Sequence, residues 1–134
     1  MKNPVVHFEM PYKDAARVSD FYSKAFGWEM QNIGEAMGNY VVAHTAETDE
    51  NQMVKTPGTI NGGFYDESKV ENPEDKTVHV VINVDDLEKA MEDVKAAGGS
   101  VKGEPMDIPG IGKYISVLDT EGNSVGVLQP FPRS

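Results

Sequence analysis

Hydrophobic and polar positions alternate strictly over residues 77–84, TVHVVINV. Val78, Val80, Ile82 and Val84 fall on one side of an extended chain, and Thr77, His79, Val81 and Asn83 on the other. A period of two predicts a strand with one wholly apolar face and one mixed face. The period then changes. Leu87, Ala90, Met91 and Val94 recur at helical spacing, which forms the apolar stripe of an amphipathic helix. Asp85-Asp86 predicts its N-cap, and Glu88 lies in the first turn, where the helix's positive end favours an acid. Gly98-Gly99 predicts its end, because helix termini often need the left-handed backbone that glycine tolerates.

The same unit occurs earlier in the chain. Displaced by 72 residues without a gap, Val6-His7 becomes Val78-His79, Asp14 becomes Asp86, Arg17 becomes Lys89 and Gly27 becomes Gly99. The first strand, residues 5–10, also alternates: Val6, Phe8 and Met10 face one way, Val5, His7 and Glu9 the other. The helix after it is expected to bury Val18, Phe21, Tyr22 and Ala25. A repeat of this kind makes the fold a duplication.

Further strands are expected after Trp28 and over residues 39–44, 59–65, 100–103, 113–118 and 123–129. Within residues 59–65, Gly62-Gly63 marks either a bulge or a close approach to the backbone. Residues 45–57 and 104–112 read as loops, 119–122 as a tight turn and 130–134 as a loose tail. Residues 66–76, DESKVENPEDK, have almost no apolar content and form a linker. The expectation is one α+β domain over residues 1–134: a first module 4–65, the linker 66–76 and a second module 77–129, each strand–helix–three strands.

A chain of 134 residues favours a single domain, and neither half alone would bury much core. Cysteine is absent, which removes disulfides and thiolate chemistry and suits a cytoplasmic protein. No apolar run is long enough to cross a bilayer, and residues 1–4 lack a signal-peptide core, so no membrane role is expected. The net charge of −10 argues against nucleic acid, whose phosphates it would repel. It is compatible with a cationic ligand.

If helices cover the apolar strand faces, His7, Glu9, His79, Val81 and Asn83 point to the opposite face, which an antiparallel sheet can leave open. The repeat gives His7 and His79 equivalent positions, so a pocket is expected where they converge. The residues now resemble a known family. The strand-one histidine, Asp14-x-x-Arg17-x-x-x-Phe21-Tyr22, Lys24-x-Phe26-Gly27-Trp28 and Asp119-x-Glu121-Gly122-Asn123 are similar to the vicinal oxygen chelate superfamily, which includes glyoxalase I, bleomycin-resistance proteins and extradiol dioxygenases. The resemblance covers Val5 to Gln129. It implies paired βαβββ modules, a cup-shaped eight-stranded mixed sheet with helices outside, and a homodimer.

The resemblance also implies four metal-ligand positions, on the first and last strands of each module. His7 and His79 match two of them. Asn61 is the oxygen donor nearest the third, and the fourth, usually Glu, is Gly126. A divalent metal (Zn, Ni, Fe or Mn) would therefore have an incomplete set, since catalytic zinc has three protein ligands and the non-haem iron triad adds a carboxylate to two histidines. Glu9 shares the face of His7, two residues on. Three roles stay open for the histidines: metal ligation, pocket lining, and acid–base work tuned by Glu9. Gly63, Asn83, Lys113, Tyr114 and Gly126 complete the candidate pocket with Asn61, and residues 108–112 are a candidate cover loop. Phe21, Phe26 and Trp28 are expected in the core.

Two functions follow. One is a small-molecule enzyme of lyase, isomerase or dioxygenase type, acting on a small carbonyl or hydroxylated compound, with or without metal. The other is a non-catalytic binder of a cationic drug, as the resemblance to bleomycin-resistance proteins implies. Lactoylglutathione lyase activity is not expected with Gly126 in the usual Glu position.

Overall fold

The computed structural model describes residues 2–51 and 53–132, of Glu74 the backbone only. Contacts divide the chain into two units, residues 7–78 and the part from His79 onward together with the stretch up to Val6. The chain as described has eight strands and two α-helices. In chain order the first five elements are β1 (Val5–Tyr12), α1 (Ala15–Phe26), β2 (Glu29–Asn32), β3 (Val41–His44) and β4 (Asn61–Asp66). They are followed by β5 (His79–Asn83), α2 (Leu87–Ala96), β6 (Ser100–Ile108), β7 (Gly112–Leu118) and β8 (Ser124–Pro130).

The two halves are wired alike. In the first, the strand order is β2-β3-β4-β1, with β1 parallel to β4 and the other pairs antiparallel. In the second it is β5-β8-β7-β6, again with one parallel pair, β5 with β8. The α+β fold of two βαβββ arrays with mixed pairing is the one that the repeat predicts.

Local chemistry explains the helix limits. Asp14 and Asp86 are extended and accept from the backbone N–H groups of Arg17 at 2.9 Å and Lys89 at 3.1 Å. Each satisfies an otherwise orphaned donor of the first turn. Gly27 closes α1 in the left-handed region, φ 74°, with its N–H on the Ser23 carbonyl at 3.0 Å. The chain turns back there, and Trp28 stacks on Tyr22 with ring centroids 4.7 Å apart.

Each helix covers one face of its own strands. Leu87 and Val84 pack with Ile115, Val117 and Val127, joined by Ile82, Ala90, Met91 and Val94. In the other unit Tyr12, Val41, Ala43 and Phe64 form the core beneath Val18, Tyr22 and Trp28. Several expected core residues lie outside. Phe21 is 56% exposed, Phe26 63%, and Ala25 is exposed too. The edge of α1 formed by Ala15, Val18 and Tyr22 meets the core cluster, and the neighbouring side chains flank it. Val78 precedes β5 and is exposed, and Val80 is partly so. The α2 cluster takes in Ile82 and Val84 instead.

Residues 104–108 belong to β6 rather than to a loop. Its pairing with β7 slips between Lys102 and Met106 and then resumes to Ile108. Residues 108–112 form no long cover: the Ile111 N–H bonds the Ile108 carbonyl at 3.0 Å, and the Ile111 carbonyl accepts from Phe131 at 3.0 Å. The glycine pair 62–63 makes no bulge, since β1 and β4 stay in register from His7↔Asn61 to Tyr12↔Asp66. Of the tail, Pro130 ends β8, and Arg133 and Ser134 lie outside the described residues.

Candidate functional site

Alternation along β1 sends Phe8 and Met10 into the core with α1, and His7 and Glu9 to the other face. Alternation along β3 does the same for its neighbours: Val41 and Ala43 are buried in the core, so Tyr40, one residue before the strand, turns toward the face of His7. Its hydroxyl lies 3.0 Å from His7 Nε2 and donates to Glu9 Oε2 at 2.9 Å. Two side chains that the sequence set two residues apart are thus joined through a third that immediately precedes another strand. All three are half-buried.

Gly63 makes this possible. It pairs with Glu9 across β1 and β4 and with Val42 across β3 and β4. A Cβ at Gly63 would overlap the Tyr40 hydroxyl and ring, just as one at Gly62 would overlap the Phe8 ring on the opposite face. The close approach expected at this glycine pair is therefore made by the protein's own aromatic rings. Burial raises the Tyr65 phenol pKa above its ordinary value. A hydrogen bond to the Thr77 carbonyl works against this, and the charges of Glu9 and Glu67 add to the rise.

Tyr40 is the residue that sequence reading missed. Alternation with Val41 and Ala43 sets the face of Tyr40 but does not name its partners. Asn61, read as an oxygen donor, has its Oδ1 on the backbone N–H groups of Thr45 at 2.9 Å and Ala46 at 2.8 Å. That contact holds the end of β3 to β4.

In the second unit His79 begins β5, and the Asn83 N–H at its end bonds the Pro4 carbonyl at 2.9 Å. Gly126 pairs with Val81 and Ser116, and a Cβ there would overlap the Tyr114 hydroxyl and ring. Lys113 is exposed and shares the parity of Ile115 and Val117, which face α2. It therefore lies on the face of β7 opposite Tyr114 and does not accompany it.

The donor set does not fit a resident divalent metal. Among the described residues no group of three or more His, Cys, Asp or Glu is placed to hold one. The His7 and Glu9 side chains both contact Tyr40, Asn61 Oδ1 bonds two amides, and Gly126 has no donor. The Asp119-x-Glu121-Gly122-Asn123 motif is structural. Asp119 Oδ1 accepts from the N–H groups of Glu121 at 2.8 Å and Asn123 at 2.9 Å, and its Oδ2 from the Asn123 amide at 2.9 Å. The Asn123 contacts hold its carboxyl pKa below the usual value. No described helix is long and apolar enough to cross a membrane.

Comparison with known proteins agrees with the fold. A "Glyoxylase-like domain-containing protein" of Didymella fabae is 34% identical over 120 residues, covering 87% of this chain and 85% of that protein. A "Probable lactoylglutathione lyase" of Vibrio cholerae is 28% identical over 127 residues, covering 93% and 89%. Among solved structures, a hypothetical protein of Bacillus halodurans superimposes with a TM-score of 0.68 at 14% identity, over 100% of this chain and 99% of that one. Methylmalonyl-CoA epimerase from Mycobacterium tuberculosis does so with a TM-score of 0.64 at 15% identity, over 96% and 88%. At such identities the structures speak for the fold alone. The family model of the Glyoxalase/Bleomycin resistance protein/Dioxygenase superfamily matches residues 5–127, and the chain belongs to that superfamily.

Proposed function

We propose that the protein is a small-molecule enzyme that moves a proton beside a carbonyl group, with Glu9, Tyr40 and His7 as its acid–base chain. The observation that carries this reading is the Tyr40 hydroxyl bridging His7 Nε2 and Glu9 Oε2. An ionised carboxylate can only accept, so the Tyr40 proton points to Glu9. The Tyr40 oxygen then accepts from His7, which assigns the proton to Nε2. Tyr40 thereby orients the carboxylate and disperses its charge. Glu9 takes the proton from the carbon next to the carbonyl, and the C–H electron pair passes to the carbonyl oxygen to give an enolate. Return of the proton to the opposite face of that carbon completes an epimerisation; with a hydroxyl on that carbon, delivery to the neighbouring carbon of the enediolate completes an isomerisation. The step is written through these residues alone, because the donor set does not fit a metal.

Relatives named as glyoxylase-like and as a probable lactoylglutathione lyase support carbonyl-compound chemistry in general terms. The proposal includes a homodimer in the cytoplasm. Phe21 and Phe26, both exposed on α1 with ring centroids 6.2 Å apart, support the pairing.

The test is deuterium uptake from D2O, followed by NMR, at the carbon next to the carbonyl of hydroxyacetone, 2-oxobutyrate and a propionyl thioester. At least one should exchange, with an EDTA-insensitive rate. Glu9→Gln should lower that rate by about 10²- to 10⁴-fold, the usual contribution of a general base. Tyr40→Phe should lower it less. A second reading, sequestration of a cationic compound, is favoured by the net charge of −10 and the bare Gly126. No exchange with any of the three, together with tight binding of bleomycin, would decide for it.

A further inference from the structure

The peptide unit between Asn39 and Tyr40 is held at both ends. Its carbonyl accepts from the Tyr12 hydroxyl at 2.8 Å, and its N–H bonds the Met37 carbonyl at 3.3 Å. The turn around it is tied as well: the Asn39 N–H bonds the Gly34 carbonyl at 2.9 Å, and the Ile33 N–H bonds the Tyr40 carbonyl at 3.0 Å. Among the described residues Asn39 is the one non-glycine with a left-handed backbone, φ 57°. Asparagine tolerates that region better than most residues, and such a conformation persists where its surroundings over-determine it. The ladder does not supply this hold, because the pairing of β3 with β2 and β4 begins only at Val41. Tyr12 does. It ends β1 and is buried in the core with Val41, Ala43 and Phe64. Burial, and then the charge of Asp66, raises its phenol pKa, so at neutral pH it is a donor.

We propose that Tyr12 is a positioning residue for the acid–base chain: from the core side of β1 it fixes, through the Asn39 carbonyl, the direction in which Tyr40 presents its hydroxyl to Glu9 and His7. This rests on the proton-transfer reading of those three residues. Alternation puts Tyr12 and Glu9 on opposite faces of β1. One strand therefore carries both the acceptor of the Tyr40 hydroxyl and the anchor of the Tyr40 backbone. The Tyr40–Glu9 hydrogen bond, 2.9 Å long, depends on the tilt of the peptide before Tyr40. A misplacement of about 1 Å from a change away from the chemistry is enough to slow a reaction.

The test uses the full chain with its tyrosines ¹³C-labelled at Cζ, the ring carbon that bears the hydroxyl, whose NMR shift reports the phenol's hydrogen bonding. Tyr40→Phe assigns the Tyr40 signal by removing it. Tyr12→Phe, which takes away a single oxygen, should shift or broaden the Tyr40 signal and leave that of Tyr22 in place. Asn39→Gly keeps the carbonyl and suits the left-handed turn, so it should keep the parent Tyr40 signal. Asn39→Val, whose branched side chain opposes a positive φ, should move it with Tyr12 intact. In the D2O exchange assay Tyr12→Phe should slow the reaction about tenfold, the loss expected for one hydrogen bond, and by no more than Tyr40→Phe does. The double variant should be no slower than Tyr40→Phe alone, whereas a general loosening of the fold would add to it. An unmoved Tyr40 signal in Tyr12→Phe, an equal movement of Tyr22, or additive losses overturns the proposal. Absence of exchange in the parent chain, with the Tyr40 signal responding as expected, overturns the acid–base reading alone.

Discussion

Among single residues, Asp119 shows how a motif can carry fold rather than chemistry. Its carboxylate accepts three hydrogen bonds, from Glu121 and Asn123, and they organise the turn between β7 and β8. A lowered folded-state pKa means that this stabilisation is present above the unfolded value of 3.8 and is lost as pH falls through the folded pKa. NMR titration should therefore find Asp119 below 3.8, with Asn123→Ala moving it back toward that value. His7 and Glu9 were legible because alternation alone places them on one face. Tyr40 was not, because its role depends on the pairing of β3 with β4 and on Gly63 lying beneath its ring. That relation spans residues far apart in the chain, which no local pattern encodes.

At the scale of elements, helices were more legible than strands. Asp14 and Asp86 announce α1 and α2 by side-chain chemistry that acts within three residues. Replacing either by Ala should cost about 1 kcal/mol in chemical denaturation. Leu87→Ala, which empties the centre of the α2 cluster, should cost about 2–5 kcal/mol. The end of β6 was hidden for a physical reason. Pro105 reads as loop punctuation, yet it and Gly103, at φ 73°, occupy a slip in the ladder that then resumes at Met106. The exposed side of α1 was misread because an apolar stripe does not reveal how wide a surface covers it.

For the molecule as a whole, the duplication was legible from the ungapped register of the repeat, and the two βαβββ arrays follow from it. The divergence of the halves matters as much as their likeness: the carboxylate at position 9 corresponds to valine at 81, whereas both glycine seats are kept. If Phe21 and Phe26 lie at a subunit contact, light scattering should give twice the chain mass, and Phe21→Ser with Phe26→Ser should halve it. The slip in β6 has a different consequence. β6 ends the strand order β5-β8-β7-β6, so its outer side offers hydrogen bonds to anything that approaches. A proline without an N–H and a backbone kink beside it interrupt that row, so a foreign strand finds too short a template to zip along. The same irregularity that hid the end of this strand from sequence reading thus guards the chain against growing into fibrils.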